Sequence, residues 1–154
     1  MRELEVIGVR IEMPTNQPLV LLHEVEGLRY LPIWIGAVEA SAIAQAQQQI
    51  MTPRPLTHEL LTSVIAELGD EIEEIRIVDV SDGVFYAEIV FASGAVVESR
   101  PSDAIALALR VTARIVCAED VLDEAGISST RDEEAEVERF REFLESVDPE
   151  DFER

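Results

Sequence analysis

The chain has 154 residues and a formal net charge of −20, with 47% hydrophobic and 29% charged side chains. That length and apolar content suit one packed domain with an appendage and exclude wholesale disorder. The single cysteine, Cys117, excludes an internal disulfide framework, a cysteine-based zinc knuckle and an iron–sulfur cluster.

All twelve basic residues are arginines, since the sequence contains no lysine. Residues 1–118 hold eight arginines against 17 acids and residues 119–154 hold four against 15, so the acidity is concentrated at the end. Such a balance repels polyphosphates at long range and disfavours a nucleic-acid partner on composition alone. No apolar run approaches the roughly 20 residues that span a bilayer, so no membrane role is expected. The opening MRELEVIGVRIEM alternates like a strand and lacks the continuous apolar stretch of a secretory signal. A cytoplasmic globular protein is the expectation.

In chain order, residues 3–13 read as a first strand, 14–18 as a loop, 19–25 as a second strand and 29–35 as a third. A helix is predicted over about 37–50. Thr52-Pro53-Arg54-Pro55 breaks it, and a second helix follows over about 58–68. The order then returns: strands over 72–80, 84–92 and 95–98, a helix over about 102–113, a short stretch at 115–118 and a helix over about 119–125 that stops at Gly126. Ala42-Ile43-Ala44 and Ala104-Ile105-Ala106 hold equivalent places in the two halves. The expected fold is α+β: a mixed sheet from two pseudo-repeats of three strands and two helices.

After Gly126 the composition changes. Ile127-Ser128-Ser129-Thr130 reads as a linker, giving a body over 1–127 and an acidic extension over 128–154. Val137, Phe140, Leu144 and Val147 follow helical spacing, so an amphipathic helix is predicted over 131–147. It either docks on the body or a subunit neighbour, or serves as a detachable acidic arm; the last residues, 148–154, are expected to fray.

Several chemistries are absent from the sequence. There is no phosphate-cradling glycine loop with lysine and no nucleophile elbow, and two histidines cannot build a three-histidine metal site. Cys117 lies in an apolar stretch and reads as a core thiol. Two places remain. In Glu98-Ser99-Arg100-Pro101-Ser102-Asp103-Ala104, Ser102 or Ser99 can cap the next helix, Pro101 suits its first turn and Asp103 complements its dipole. The same arginine, hydroxyl and backbone amides can also hold a phosphate. In Arg54-Pro55-Leu56-Thr57-His58-Glu59, Thr57 can cap the helix, leaving His58 in the first turn, where the dipole favours a neutral imidazole. Glu39 is the pseudo-symmetric neighbour of Ser102 and Asp103. If the sheet brings the helix starts together, Glu39, His58, Arg100 and Asp103 share a cleft.

Three segments carry a resemblance: Leu31-Pro32-Ile33-Trp34-Ile35-Gly36 through Glu39-Ala40, Arg54-Pro55-Leu56-Thr57-His58-Glu59-Leu60-Leu61, and Arg100-Pro101-Ser102-Asp103-Ala104-Ile105-Ala106-Leu107-Ala108. Together they resemble the bifunctional nuclease domain family over roughly residues 3–127. The resemblance implies a compact α+β domain, association into dimers or larger oligomers, and cleavage of both RNA and DNA. It directs attention to His58, Glu59, Arg100, Ser102 and Asp103. On that reading Glu39, Glu59 and Asp103 hold a divalent ion such as Mg or Mn, His58 takes or donates a proton, and Arg100 with Ser102 binds phosphate. A metal-free variant asks more of His58 and Arg100. Against both stands the lack of an extended basic track with interleaved aromatics; Arg110 and Arg114 alone make a small footprint. The competing expectation is a non-catalytic oligomeric scaffold or regulatory module that uses its alanine-rich faces for subunit contacts.

Overall fold

The computed structural model describes residues 1–128 together with 138, 139 and 141, so most of the helix expected over 131–147 and the terminus after it lie outside the described residues. The elements are β1 (Arg2–Glu12), β2 (Gln17–Glu24), β3 (Arg29–Trp34), α1 (Ala37–Gln47), α2 (Thr57–Glu67), β4 (Ile72–Ser81), β5 (Val84–Phe91), β6 (Val96–Ser99), α3 (Pro101–Val111), β7 (Arg114–Cys117), α4 (Glu119–Ala125) and β8 (Ile127–Ser128). The α+β expectation and the three-strand, two-helix repeat both hold.

Among the described residues all strands form one mixed sheet in the order β6-β5-β4-β7-β1-β2-β3-β8. Each half contributes an antiparallel meander, β1-β2-β3 and β4-β5-β6, closed by short turns. Asp82 and Gly83 both take positive φ, the left-handed conformation a tight hairpin requires. The short stretch expected over 115–118 is strand β7, Arg114–Cys117, in the middle of the sheet. Its residues pair parallel with β4 (Ile75 opposite Ile115) and antiparallel with β1 (Leu4 opposite Ile115). Ile127 and Ser128, expected to begin a linker, instead pair with Tyr30 and Arg29 at the edge of β3.

Apolar alternation explains the layering. Leu22, Leu31, Ile75 and Ile77 are fully buried, as are Ile43 on α1 and Ile105 and Leu107 on α3. Helix α1 rests on β1 and β2, α3 rests on β4, β5 and β7, and the two helices pack on each other. Ala40, Ala44, Ala104 and Ala108 are all buried, and such small side chains let neighbouring helix backbones approach closely. The start of α1 is thereby brought beside the start of α3. Helix α2 differs: it touches α3 but contains no buried residue, and Leu60, Leu61, Val64 and the following Leu68 remain exposed.

The expected caps do not form. Arg100 is the N-cap of α3 because Pro101, with no N–H and a preset φ, fits the first helical position. Ser102 falls inside the first turn, and the Ser99 hydroxyl donates to the Arg100 carbonyl rather than to the helix. At α2 the N-cap is Leu56, so Thr57 is already helical; neither start has a side-chain cap.

Candidate active site

Three helix starts converge on one open cleft of about 1180 Å³, formed by α1, α2, α3 and strands β5 and β6. Its lining includes Glu39, His58, Arg100 and Asp103, with an apolar floor that contains Leu61, Ile89 and Leu107. The four polar side chains form a connected chain. Arg100 Nη1 lies 2.7 Å from Glu39 Oε1, and Arg100 Nη2 and Nε lie 2.8 and 2.9 Å from Asp103 Oδ2. The other carboxylate oxygen, Asp103 Oδ1, lies 3.0 Å from His58 Nε2. The convergence expected from pseudo-symmetry is therefore present.

Local sequence sets each member. Glu39 and Asp103 occupy the first turns of α1 and α3, where the positive end of the helix dipole favours a carboxylate. Glu39 is buried, and it folds back over Gly36, the N-cap of α1. A Cβ at Gly36 would lie 2.7 Å from Glu39 Oε2. Glycine there is what makes room for the carboxylate. The hydrogen bond from Asp103, followed by the attraction of Asp103 and Glu39, raises the pKa of the Arg100 guanidinium, which stays charged at any working pH. An ionised carboxylate only accepts, so His58 Nε2 is the donor in this contact; in a neutral imidazole that tautomer makes Nδ1 the unprotonated nitrogen.

Glu59 and Ser102 stand apart from this chain. Glu59 turns toward α3, with Oε1 3.3 Å from Arg110 Nη1. Ser102 is 6% exposed and lines a second recess on the far side of Arg100, beside Trp34 and Phe85. The ligand set Glu39, Glu59 and Asp103 therefore does not assemble: two of the carboxylates are committed to Arg100 and the third to Arg110. Among the described residues no group of three His, Cys, Asp or Glu side chains is placed to hold a metal ion, and the residues present do not fit bound Mg or Mn in this arrangement.

Two participants were not singled out in the sequence. Arg110, whose place in the sequence suggests only a phosphate contact, is nearly covered, and its Nε and Nη2 atoms are buried without a hydrogen-bond partner among the described residues. Trp34 is half exposed at the end of β3. Its signal was present: Leu31, Ile33 and Ile35 alternate inward, which turns Trp34 outward.

An α+β domain built from two meanders, with a charged chain across the starts of its helices, is the class that this fold and cleft define. The profile of the bifunctional nuclease domain matches residues 20–130, and the chain belongs to that family. It is similar along nearly its whole length to two uncharacterized proteins of Mycobacterium tuberculosis, from strains CDC 1551 / Oshkosh and ATCC 25618 / H37Rv. Each is 52% identical over 161 residues, covering 99% of this chain and 98% of the relative. No helix among the described residues is long and apolar enough to cross a membrane.

Proposed function

We propose that the chain is a phosphodiesterase that hydrolyses RNA and DNA in the cleft at the starts of α1, α2 and α3. The observation that carries this reading is the linked chain Glu39–Arg100–Asp103–His58 on the rim of one open cleft. Asp103 orients the imidazole, as a carboxylate does for a general base, and His58 Nδ1 takes a proton from an attacking water. The water oxygen bonds to phosphorus, the bond to the departing nucleotide oxygen breaks, and the proton held by His58 passes to that oxygen. Arg100 exchanges a carboxylate for a phosphoryl oxygen as charge builds there. Glu59 is a positioning residue that fastens the start of α2 to α3 through Arg110. The fold body and the acidic extension after it are proposed to act as separate units, within a cytoplasmic homo-oligomer.

Purified wild type, His58→Ala and Asp103→Asn are compared on single-stranded RNA and DNA with magnesium, with manganese and with chelator. Removing the base is expected to slow cleavage about a hundredfold or more. Chelator should leave most of the wild-type rate if the chain's own groups carry the step. Equal cleavage by all three proteins, or cleavage by none, defeats the reading.

A second reading, an oligomeric scaffold or regulatory module without catalysis, has its own support. Arg100 is already neutralised by two carboxylates, and α2 presents Leu60, Leu61, Val64 and Leu68 to solvent. Such a face suits a subunit contact. On this reading Leu60→Glu with Val64→Glu lowers the mass seen by sedimentation, and no variant or wild type cleaves either nucleic acid.

A further inference from the structure

Arg100 borders two spaces. One is the cleft described above; the other is a recess of about 300 Å³ lined by Trp34, Phe85, Pro101 and Ser102. The recess combines two features that no packing need explains. Trp34, the only tryptophan in the sequence, leaves 54% of its surface in water. Ser102, although 6% exposed, has no hydrogen-bond partner among the described residues, and it sits in the first turn of α3, where N–H groups lack intrahelical acceptors. An open aromatic face thus lies next to an unpartnered hydroxyl on a mostly buried serine and to helix amides that favour an anion.

We propose that this recess is a nucleotide subsite in which an unpaired base stacks on Trp34 while its phosphate meets Ser102 and the start of α3. The inference rests on the phosphodiesterase reading and deepens it by naming the substrate class as single-stranded nucleic acid. A flat base and an anion joined within one nucleotide match a flat indole and an anion site within one recess. A base inside a duplex has both faces covered by its neighbours and cannot use the indole. Arg100 serves the junction: paired with Glu39 and Asp103 until a phosphoryl oxygen takes the place of one carboxylate, it offsets part of their negative charge as the backbone enters. Arg100, which lines both spaces, is the link between the recess and the cleft that holds His58.

Because Trp34 is the sole tryptophan, its fluorescence reports on this site alone. The full chain is titrated with end-labelled oligouridylate and oligothymidylate of about ten nucleotides, followed by anisotropy of the label and by tryptophan emission. Quenching that tracks binding is expected. Trp34→Ala should weaken binding roughly ten- to a hundredfold, Trp34→Phe should restore most of it, and an abasic strand of equal length should bind wild type and Trp34→Ala alike. Circular dichroism melting of both variants checks that the fold is kept. Binding without quenching, or equal affinity of wild type and Trp34→Ala for oligouridylate, overturns the stacking site while leaving the phosphodiesterase reading in place. No binding by the wild type overturns both.

Discussion

Replacing Glu24 with glutamine tests the network that fastens α4 to the sheet. Glu24, at the end of β2, is 3% exposed and is held by Arg29 Nη2 and Arg2 Nε, each at 2.8 Å. Arg29 also reaches Glu119 at 2.8 Å and Asp123 at 2.9 Å on α4. The hydrogen bonds from Arg29, opposed by burial and reinforced by Arg2, hold the Glu24 carboxyl at about 2 rather than the ordinary 4.5. At about 1.4 kcal/mol per pH unit, that difference caps the contribution at about 3 kcal/mol. Arg2 is 42% exposed, so solvent screening trims the figure to about 2 kcal/mol. The folded-state value lies below the unfolded one, so the stabilisation is complete above pH 4.5 and is lost as pH falls toward 2. Urea unfolding of wild type and Glu24→Gln is compared between about pH 7 and about pH 3. The gap in stability should be about 2 kcal/mol at neutrality, hold to about pH 5 and shrink below half by about pH 3. Subtracting one protein from the other cancels the titration of the remaining carboxylates. A gap that stays constant across the range would show that charge pairing at Glu24 does not carry the effect.

Two further outcomes follow from single contacts. Gly36→Ala should displace Glu39 from Arg100 and reduce nucleic-acid cleavage at a cost of about 1 kcal/mol of stability, since glycine is preferred to alanine at an N-cap; unchanged cleavage would mean that the Glu39–Arg100 contact has no part in the chemistry. Burial pushes the Cys117 thiol up to about 12, so iodoacetamide at mildly alkaline pH should spare the folded protein and label it only on unfolding, as read by mass spectrometry.

Long periodic segments were readable because each carries its own signal. The alternation of Phe85, Ala87, Ile89 and Phe91 defines β5, and the apolar run Ala104–Leu109 could only be a helix covered on several sides. Strand β7 was not readable, because the apolar residues Ile115, Val116 and Cys117 look the same in a loop, a buried strand or a helix tail. Only the partners on β1 and β4 decide among them. Strand β8 is two residues long and has no periodicity at all. At the cleft, pseudo-symmetry correctly joined Glu39 to Arg100 and Asp103, but spacing could not tell which side of its helix each carboxylate takes. Glu59, next to His58, turns to Arg110, and Ser102, next to Asp103, faces the other recess. The misplaced caps share one cause: a hydroxyl near a helix start resembles an N-cap, whereas Pro101 makes Arg100 the N-cap, two residues before Ser102 and one after Ser99, and α2 is capped by Leu56, one residue before Thr57.

Among the described residues, β7 is the one strand that both meanders share. Four residues, Arg114–Cys117, therefore act as a zipper slider for the whole sheet. If heat or a protease frees them, the inner borders β1 and β4 are both left as bare ladders able to recruit a foreign strand. Clumping on mild heating should accordingly begin at the molecule's centre, well before its helices melt.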